Sequence, residues 1–361
     1  MTEEKYGGDP FEFMHAVNRE FIDRKKDFNI LAENYIDRHK TRGKQAYIDM
    51  GYLMGYIAHK YKINTHFQSQ IHLGGVRDGS TVGKDAFSLA MFATWRLKPY
   101  VFEIDDDLFE QIKKSPIPFE SPVSIFDNLP AWAVYVQLSN HELSIYTAAH
   151  EIIKLKCYGF WAYKAYSGEQ LWLYMYPHVS QDDMTKTVNI QKFLPTSFLI
   201  INEKLDLFES LKKALEKMMD KKQEQHITPE IWDMHLNNSR LFLSALLLLC
   251  VERPQIEDSS LNEVDIASLS HLPPIHPKTK RFIAPNEPTK FFIGRRLGGQ
   301  IRAFKAQESK GMPTGVTMQP HVRQAHWHGY RYGEGRKQFK LTFLPPIFVN
   351  MHAEDNLEER D

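Results

Sequence analysis

The chain has 361 residues, 42% of them hydrophobic and 12% aromatic, which suits a sizeable core in about two or three structural units and excludes wholesale disorder. Lysine plus arginine and aspartate plus glutamate tie at 45 each, so the formal net charge is zero and the whole-chain value points to no polyanionic partner. The two cysteines, Cys157 and Cys250, sit in apolar runs, exclude a disulfide framework or a cysteine-based zinc site, and read as buried thiols.

Residues 9–63 read as helical, because Phe11, Phe13, Met14, Val17, Phe21 and Ile22 recur near three- and four-residue spacing and 31–61 continues in that style without proline. The first residues are polar and acidic, unlike a signal peptide. The longest strongly apolar run, 241–251, is far short of the ~20 residues a bilayer crossing needs, so a cytoplasmic protein without a membrane partner is expected. Gly74-Gly75-Val76-Arg77-Asp78-Gly79 marks a loop, and a helix follows over about 85–97. Asp105-Asp106-Asp107 can cap a short helix reaching Lys114.

Pro116, Pro118 and Pro122 break the chain, and its character changes. The runs 133–136, 159–163 and 171–176 are short and rich in β-branched and aromatic residues, which predicts strands of a mostly antiparallel sheet. Residues 203–225 form an amphipathic pattern through Leu205, Phe208, Leu211, Leu215 and Met218; 229–251 predicts a second helix, or a pair, ending in an apolar core segment. Residues 254–290 hold Pro254, Pro273, Pro274, Pro277, Pro285 and Pro288 with little periodicity, as an extended connector would. A short strand and a helix are expected over 290–305, then a hairpin with arms at 322–332 and 337–343 around Gly333-Glu334-Gly335.

The neutral total hides a split. Residues 271–350 hold 14 Lys/Arg against 3 Asp/Glu, a net +11, and the rest of the chain carries −11. The last eleven residues have five acids and one arginine. Such asymmetry points to nucleic acid or another polyanion; the plain alternative is a solvated basic surface.

Few motifs carry chemistry. Gly79-Ser80-Thr81-Val82-Gly83-Lys84-Asp85 departs from a phosphate-binding loop, which needs glycine where Asp78 stands and Ser or Thr where Asp85 stands. His141, His150 and His178 read as structural. The densest signal is Pro320-His321-Val322-Arg323-Gln324-Ala325-His326-Trp327-His328-Gly329-Tyr330. As a strand it would put His326, His328 and Tyr330 on one side and Arg323, Trp327 and Arg331 on the other. Rings stack on bases and guanidinium groups pair with phosphates, so either side suits RNA. Three readings of the histidines stay open. They pack and hydrogen-bond in a binding surface; or His326 and His328 act as base and acid in metal-independent RNA cleavage, with Arg323 or Arg331 steadying the charge on phosphorus; or they bind a metal, although a lone His-x-His lacks the further ligands. The scarcity of carboxylates nearby argues against a magnesium nuclease.

These residues, closing in Pro345-Pro346-Ile347-Phe348-Val349-Asn350, resemble the signature ending of a type V-A anti-CRISPR family, the one that lowers biogenesis of the type V-A Cas nuclease. Three further segments resemble it in order: Pro122-Val123-Ser124-Ile125-Phe126-Asp127-Asn128-Leu129-Pro130 with Trp132 and Val134-Tyr135-Val136; Leu248-Leu249-Cys250-Val251; and Pro285-Asn286-Glu287-Pro288 leading to Ile293-Gly294 and Leu297-Gly298. The likeness covers roughly residues 85–350. It departs at Gln324, where relatives usually carry arginine, at Arg331, where they carry tryptophan, and at Phe343, where tryptophan is common. The resemblance implies a translation-linked silencer in a bacterial host that recognises the N-terminal segment of the nuclease as it leaves the ribosome, after which the mRNA is lost. Whether RNA is cut by the protein or by a recruited host nuclease stays open. Relatives look widespread on mobile genetic elements.

The expected fold class is α+β: a helical N-terminal region, a mostly antiparallel sheet with packed helices, and a C-terminal β-hairpin unit. The expected divisions are 1–115, mainly helical; 116–253, an α+β body and candidate peptide-recognition region; 254–350, a basic connector and hairpin unit; and 351–361, an acidic tail. The RNA or ribosome contacts expected on the hairpin are His321, Arg323, Trp327, Arg331, Arg336, Lys337 and Lys340. Arg295, Arg296 and Arg302 are expected to join them from the preceding helix. His326, His328, Arg323 and Tyr330 are the candidates if the chain cuts RNA. Trp132 and Tyr135 are the candidate peptide platform, on the view that a peptide adds to an exposed sheet edge, with plain core packing as the alternative. No cofactor or metal is expected. The competing functions are a metal-independent ribonuclease and a non-enzymatic nucleic-acid-binding regulator of a mobile element.

Overall fold

The structure is a computed structural model. It describes residues 91–146, 152–179, 197–218, 228–310 and 321–349, apart from 93, 168–169, 253, 270–275, 280–282, 284 and 286, together with Pro10, Ile48 and Asp49. The helical pattern of 9–63, the glycine loop at 74–79, the lysine loop at 79–85, His150 and the acidic tail lie outside the described residues, apart from those three positions.

An eight-stranded mixed sheet organises the chain. Its order is β6 (Ser197–Ile201), β5 (Gln170–Val179), β4 (Ile152–Ser167), β3 (Ala133–Tyr146), β2 (Tyr100–Ile104), β8 (Thr289–Ile293) and β7 (Ile256–Glu257), and the two-residue β1 (Ile48–Asp49) pairs with β4. The run β3–β4–β5–β6 is antiparallel, as the alternating aromatic runs predict. β2 lies parallel to both β3 and β8, a feature absent from the sequence expectation. It is the short run Tyr-Val-Phe-Glu-Ile after Pro99; β3 is the next strand along the chain, reached through a helical crossover, whereas β8 comes from a distant part of the chain.

Between β2 and β3 the chain forms α1 (Asp106–Lys114), whose start the three aspartates mark. Asp105 accepts from the backbone N–H groups of Asp107 and Leu108, which would otherwise be unpaired at a helix start. A 3-10 turn at Val123–Asn128 then leads into β3. α2 (Leu207–Met218) packs beside β6, and α3 (Pro229–Cys250) is one continuous helix rather than a pair.

The core lies on both sheet faces because neighbouring residues on a strand point in opposite directions. Phe160 meets Phe242 of α3 at 4.5 Å between ring centroids, whereas Trp161 faces the other way, 5.2 Å from Phe92 and 6.1 Å from Trp95 in the helical segment at 91–97. Residues 241–250 of α3 are all buried, as a helix that is apolar on every side must be. Cys157 and Cys250 are free and buried, and burial pushes both thiols up to about 12. Among the described residues no helix is long and apolar enough to cross a membrane.

Both outer strands are covered where they are described. On β6 the hydroxyl of the buried Ser210 accepts from Ile200 N–H and donates to Ile200 C=O, each at 2.8 Å. On β7, Ile256 C=O accepts from Val264 N–H at 2.8 Å, and Glu257 bridges to Glu263. These contacts satisfy backbone groups that an edge strand otherwise offers to another chain.

Candidate nucleic-acid interface

The C-terminal hairpin is β10 (His326–Tyr332) paired antiparallel with β11 (Gln338–Leu344). The turn follows the predicted glycines: Gly333 and Gly335 hold φ values of 75° and 65°, which their missing side chains permit. Arg336 follows at φ 52°, unusual for a residue with a side chain. The strand expected over 322–332 is interrupted. Val322 and Arg323 belong to β9 (His321–Arg323), which pairs with β12 (Ile347–Val349), and Ala325 is buried at the break.

One face of the ribbon is anchored to the body. Trp327 and Leu341 are buried, and Phe339 and Phe343 pack half-buried beside them. Gly329 leaves room for this arrangement, since a Cβ there would stand 2.7 Å from the Phe339 ring. Ser115 at the end of α1 donates to Ala325 C=O at 2.7 Å, and Glu252 N–H donates to Leu341 C=O at 3.1 Å. Trp327, expected as an RNA contact, is therefore part of the underside that docks the hairpin. Arg331 shares that side with it and lies 5.9 Å from the Phe339 ring centroid, but stays exposed.

The other face is open. His326, His328, Tyr330 and Tyr332 alternate along β10 and are all exposed. The phenol of Tyr330 donates to Glu252 at 2.9 Å, and Lys340, opposite Tyr330 on β11, pairs with the same carboxylate. Glu252 thereby raises the Tyr330 phenol above its ordinary value, and it raises the Lys340 ammonium too. Arg323, Arg336 and Lys337 are exposed; the side chain of His321 lies outside the described residues.

The cations of α4 (Arg295–Lys310) stand elsewhere. Arg302 donates to Asp105 and Asp107 at 2.9 and 3.0 Å, and Lys305 reaches Asp107 at 2.5 Å. This network sits at the start of α1, whereas Ser115 holds the hairpin at its end, about 13 Å away along a nine-residue helix. Arg295 stacks on the Phe292 ring, and Arg296 is exposed. The basic block is thus divided: Arg302 and Lys305 are neutralised by facing carboxylates, and Arg323, Arg331, Arg336 and Lys337 stay exposed on and beside the hairpin.

Trp132 and Tyr135, expected at an exposed sheet edge, are instead buried in the core. They are 6% and 0% exposed, and β3 lies inside the sheet between β4 and β2. Tyr135 instead shares a hydrogen bond of 2.8 Å with Nδ1 of the buried His178, so His178 is structural, as expected. Among the described residues no group of three or more His, Cys, Asp or Glu is placed to hold a metal ion. The sequence reading missed Glu252, whose only signal is its place directly after the apolar end of α3.

The fold and this surface define an α+β protein that presents a basic, aromatic β-hairpin to solvent on a body whose described sheet is packed on both faces. The chain belongs to the Anti-CRISPR type V subtype A2 family, whose model matches residues 102–351. It is therefore an anti-CRISPR protein of type V-A. Its fold is similar to the crystal structure of AcrVA2, with a TM-score of 0.68 and 22% sequence identity over 94% of this chain and 98% of that chain. Comparison with curated protein sequences gives no match.

Proposed function

We propose that this protein suppresses expression of the type V-A Cas nuclease, recognising the nascent N-terminal polypeptide and promoting loss of its mRNA, with the C-terminal hairpin engaging RNA or the ribosome. Family membership supplies the target system. The observation that carries the RNA component is the open hairpin face: four alternating rings with cations around them. Stacking rings and mobile cations are what a binding surface for unpaired RNA requires. The peptide component rests on the family resemblance, and it needs a surface other than β3 or the covered positions of β6 and β7.

The test is the transcript level of the nuclease in cells expressing this protein, with and without the start codon of the target. Loss that disappears when translation is prevented supports the reading. Equal loss in both cases contradicts it.

A ribonuclease is the second reading, favoured by His326 and His328 being exposed on one face of one strand. Purified protein would then cleave RNA in the presence of a chelator, His326→Ala or His328→Ala would abolish cleavage, and His326→Ala would leave binding intact. An inert purified protein removes it.

A further inference from the structure

His328, Tyr330 and Tyr332 form a row. Their ring centroids are 5.9 Å apart for the first pair and 6.1 Å for the second, with interplanar angles of 31° and 51°. The rings are thus neighbours without being stacked on each other. Residues two apart on a strand are separated by about 6.5 Å. A flat base inserted between two rings needs about 3.4 Å on each side, the rise of a stacked nucleic-acid strand. That exceeds the observed separations of 5.9 and 6.1 Å between tilted rings, so bases are received on the exposed faces of the rings, one to a ring, rather than between them.

The charge on this unit agrees. Residues 321–349 carry Arg323, Arg331, Arg336, Lys337 and Lys340 against the single acid Glu334. Lys340 Nζ lies 4.8 Å from the Tyr332 ring centroid, while Arg336 and Lys337 extend from the turn at the end of the row. Arg336 keeps a left-handed backbone that glycine would adopt freely, in the turn that displays its guanidinium. Among the described residues, the body sets Glu252 against Tyr330 and Lys340.

We infer that this face binds single-stranded RNA, stacking two or three successive bases on His328, Tyr330 and Tyr332 while Arg336 and Lys337 hold backbone phosphates. Glu252 restrains the affinity by neutralising Lys340. Bases in a duplex are already stacked on one another and are closed to these rings, so an unpaired strand is the substrate. The His328 imidazole also offers a hydrogen-bond partner for the 2′-hydroxyl, which distinguishes RNA from DNA. This deepens the function proposed above and rests on it only for the RNA being the nuclease transcript.

The test is fluorescence anisotropy of full-length protein with a labelled single-stranded RNA of about 12 nucleotides, against single-stranded DNA and duplex RNA of the same sequence. Single-stranded RNA is expected to bind at least tenfold more tightly than the duplex. Combining Tyr330→Ala with Tyr332→Ala weakens binding by about tenfold or more, because each lost stacking contact is worth at least a large part of a decade. Phenylalanine at both positions keeps the rings and holds affinity within about twofold. Glu252→Gln tightens binding and steepens its salt dependence, because one more ammonium becomes available to phosphate. Arg336→Gly weakens binding while leaving the thermal midpoint unchanged or higher. Equal affinity for the duplex, an alanine pair that binds as the parent does, or single-stranded DNA bound as tightly as RNA overturns the inference. If binding behaves as expected but the alanine pair still removes transcript in cells, the RNA-binding face stands and its role in expression fails. If binding fails while transcript loss stays translation-dependent, the proposed function stands and this face is not its RNA contact.

Discussion

At the scale of single residues, the same sequence pattern serves two ends. The stretch from His326 to Tyr332 reads as one alternating basic and aromatic strand, and the alternation is real. Its two faces differ in fate, which depends on what the body presents to them. Trp327 meets Phe343 at 4.8 Å and joins the core, and its indole N–H is buried without a hydrogen-bond partner. Trp327→Ala is expected to destabilise the protein by about 3 kcal/mol. Trp327→Phe, which removes the unpaired donor and keeps a ring, is expected to cost about 1 kcal/mol or less. Chemical denaturation measures both. His141 gives a pH signature of its own. Burial, helped by Lys113, lowers its imidazole to about 4, and its ring lies against Phe109. The unfolded chain takes up this proton near 6.5 and the folded chain does not, so stability falls as pH drops from about 6.5 to about 4, by on the order of 1 kcal/mol given its partial exposure. His141→Phe should flatten that part of the stability–pH curve.

At the scale of elements, what the sequence made legible follows from local physics. The aspartate cap of α1, the apolar end of α3, the β-branched and aromatic runs of β3, β4 and β5, and the glycines of the hairpin turn each carry their own signal within a few residues. β2 between β3 and β8, and the pairing of β9 with β12, were not legible, because such short runs do not carry the identity of their partners, and β8 lies far along the chain from β2. The same holds for the candidate site. The open hairpin face was readable from alternation, but the neutralisation of Arg302 by Asp105 and Asp107 was not, with nearly 200 residues between the partners. That network ties α4 to α1 and needs Gly298, where a Cβ would stand 1.9 Å from the Asp105 carboxylate. Gly298→Ala should separate the two helices locally and lower the thermal midpoint. Partial burial opposes ionisation of Asp107, but hydrogen bonds from Lys305 and Arg302 prevail and hold its carboxyl below the ordinary value. The stabilisation it provides is therefore present above the unfolded value near 3.8 and lost as pH falls through the lower folded value. Ser210→Ala tests the covered edge. It leaves the outward N–H and C=O of Ile200 without their partner, should cost about 1–3 kcal/mol, and should raise aggregation on heating, measured by light scattering.

At the scale of the molecule, the zero net charge is a sum over separate regions with opposite tasks. Carboxylates at the start of α1 neutralise Arg302 and Lys305 of α4, while the hairpin keeps most of its own cations exposed. The body is packed on both sheet faces, with its described edges covered, and the hairpin is fixed to it by Trp327, Leu341, Ser115 and Glu252. The result is a packed base beneath one exposed row of rings. In the proposed function this surface meets RNA while another region reads the peptide. The most direct measurement is the half-life of the type V-A nuclease mRNA in cells carrying equal amounts of the parent protein or the variant with alanine at both Tyr330 and Tyr332. The account predicts a shortened half-life with the parent, only when the message is translated, and a restored one with the variant. A variant that shortens it as much as the parent does would contradict the account.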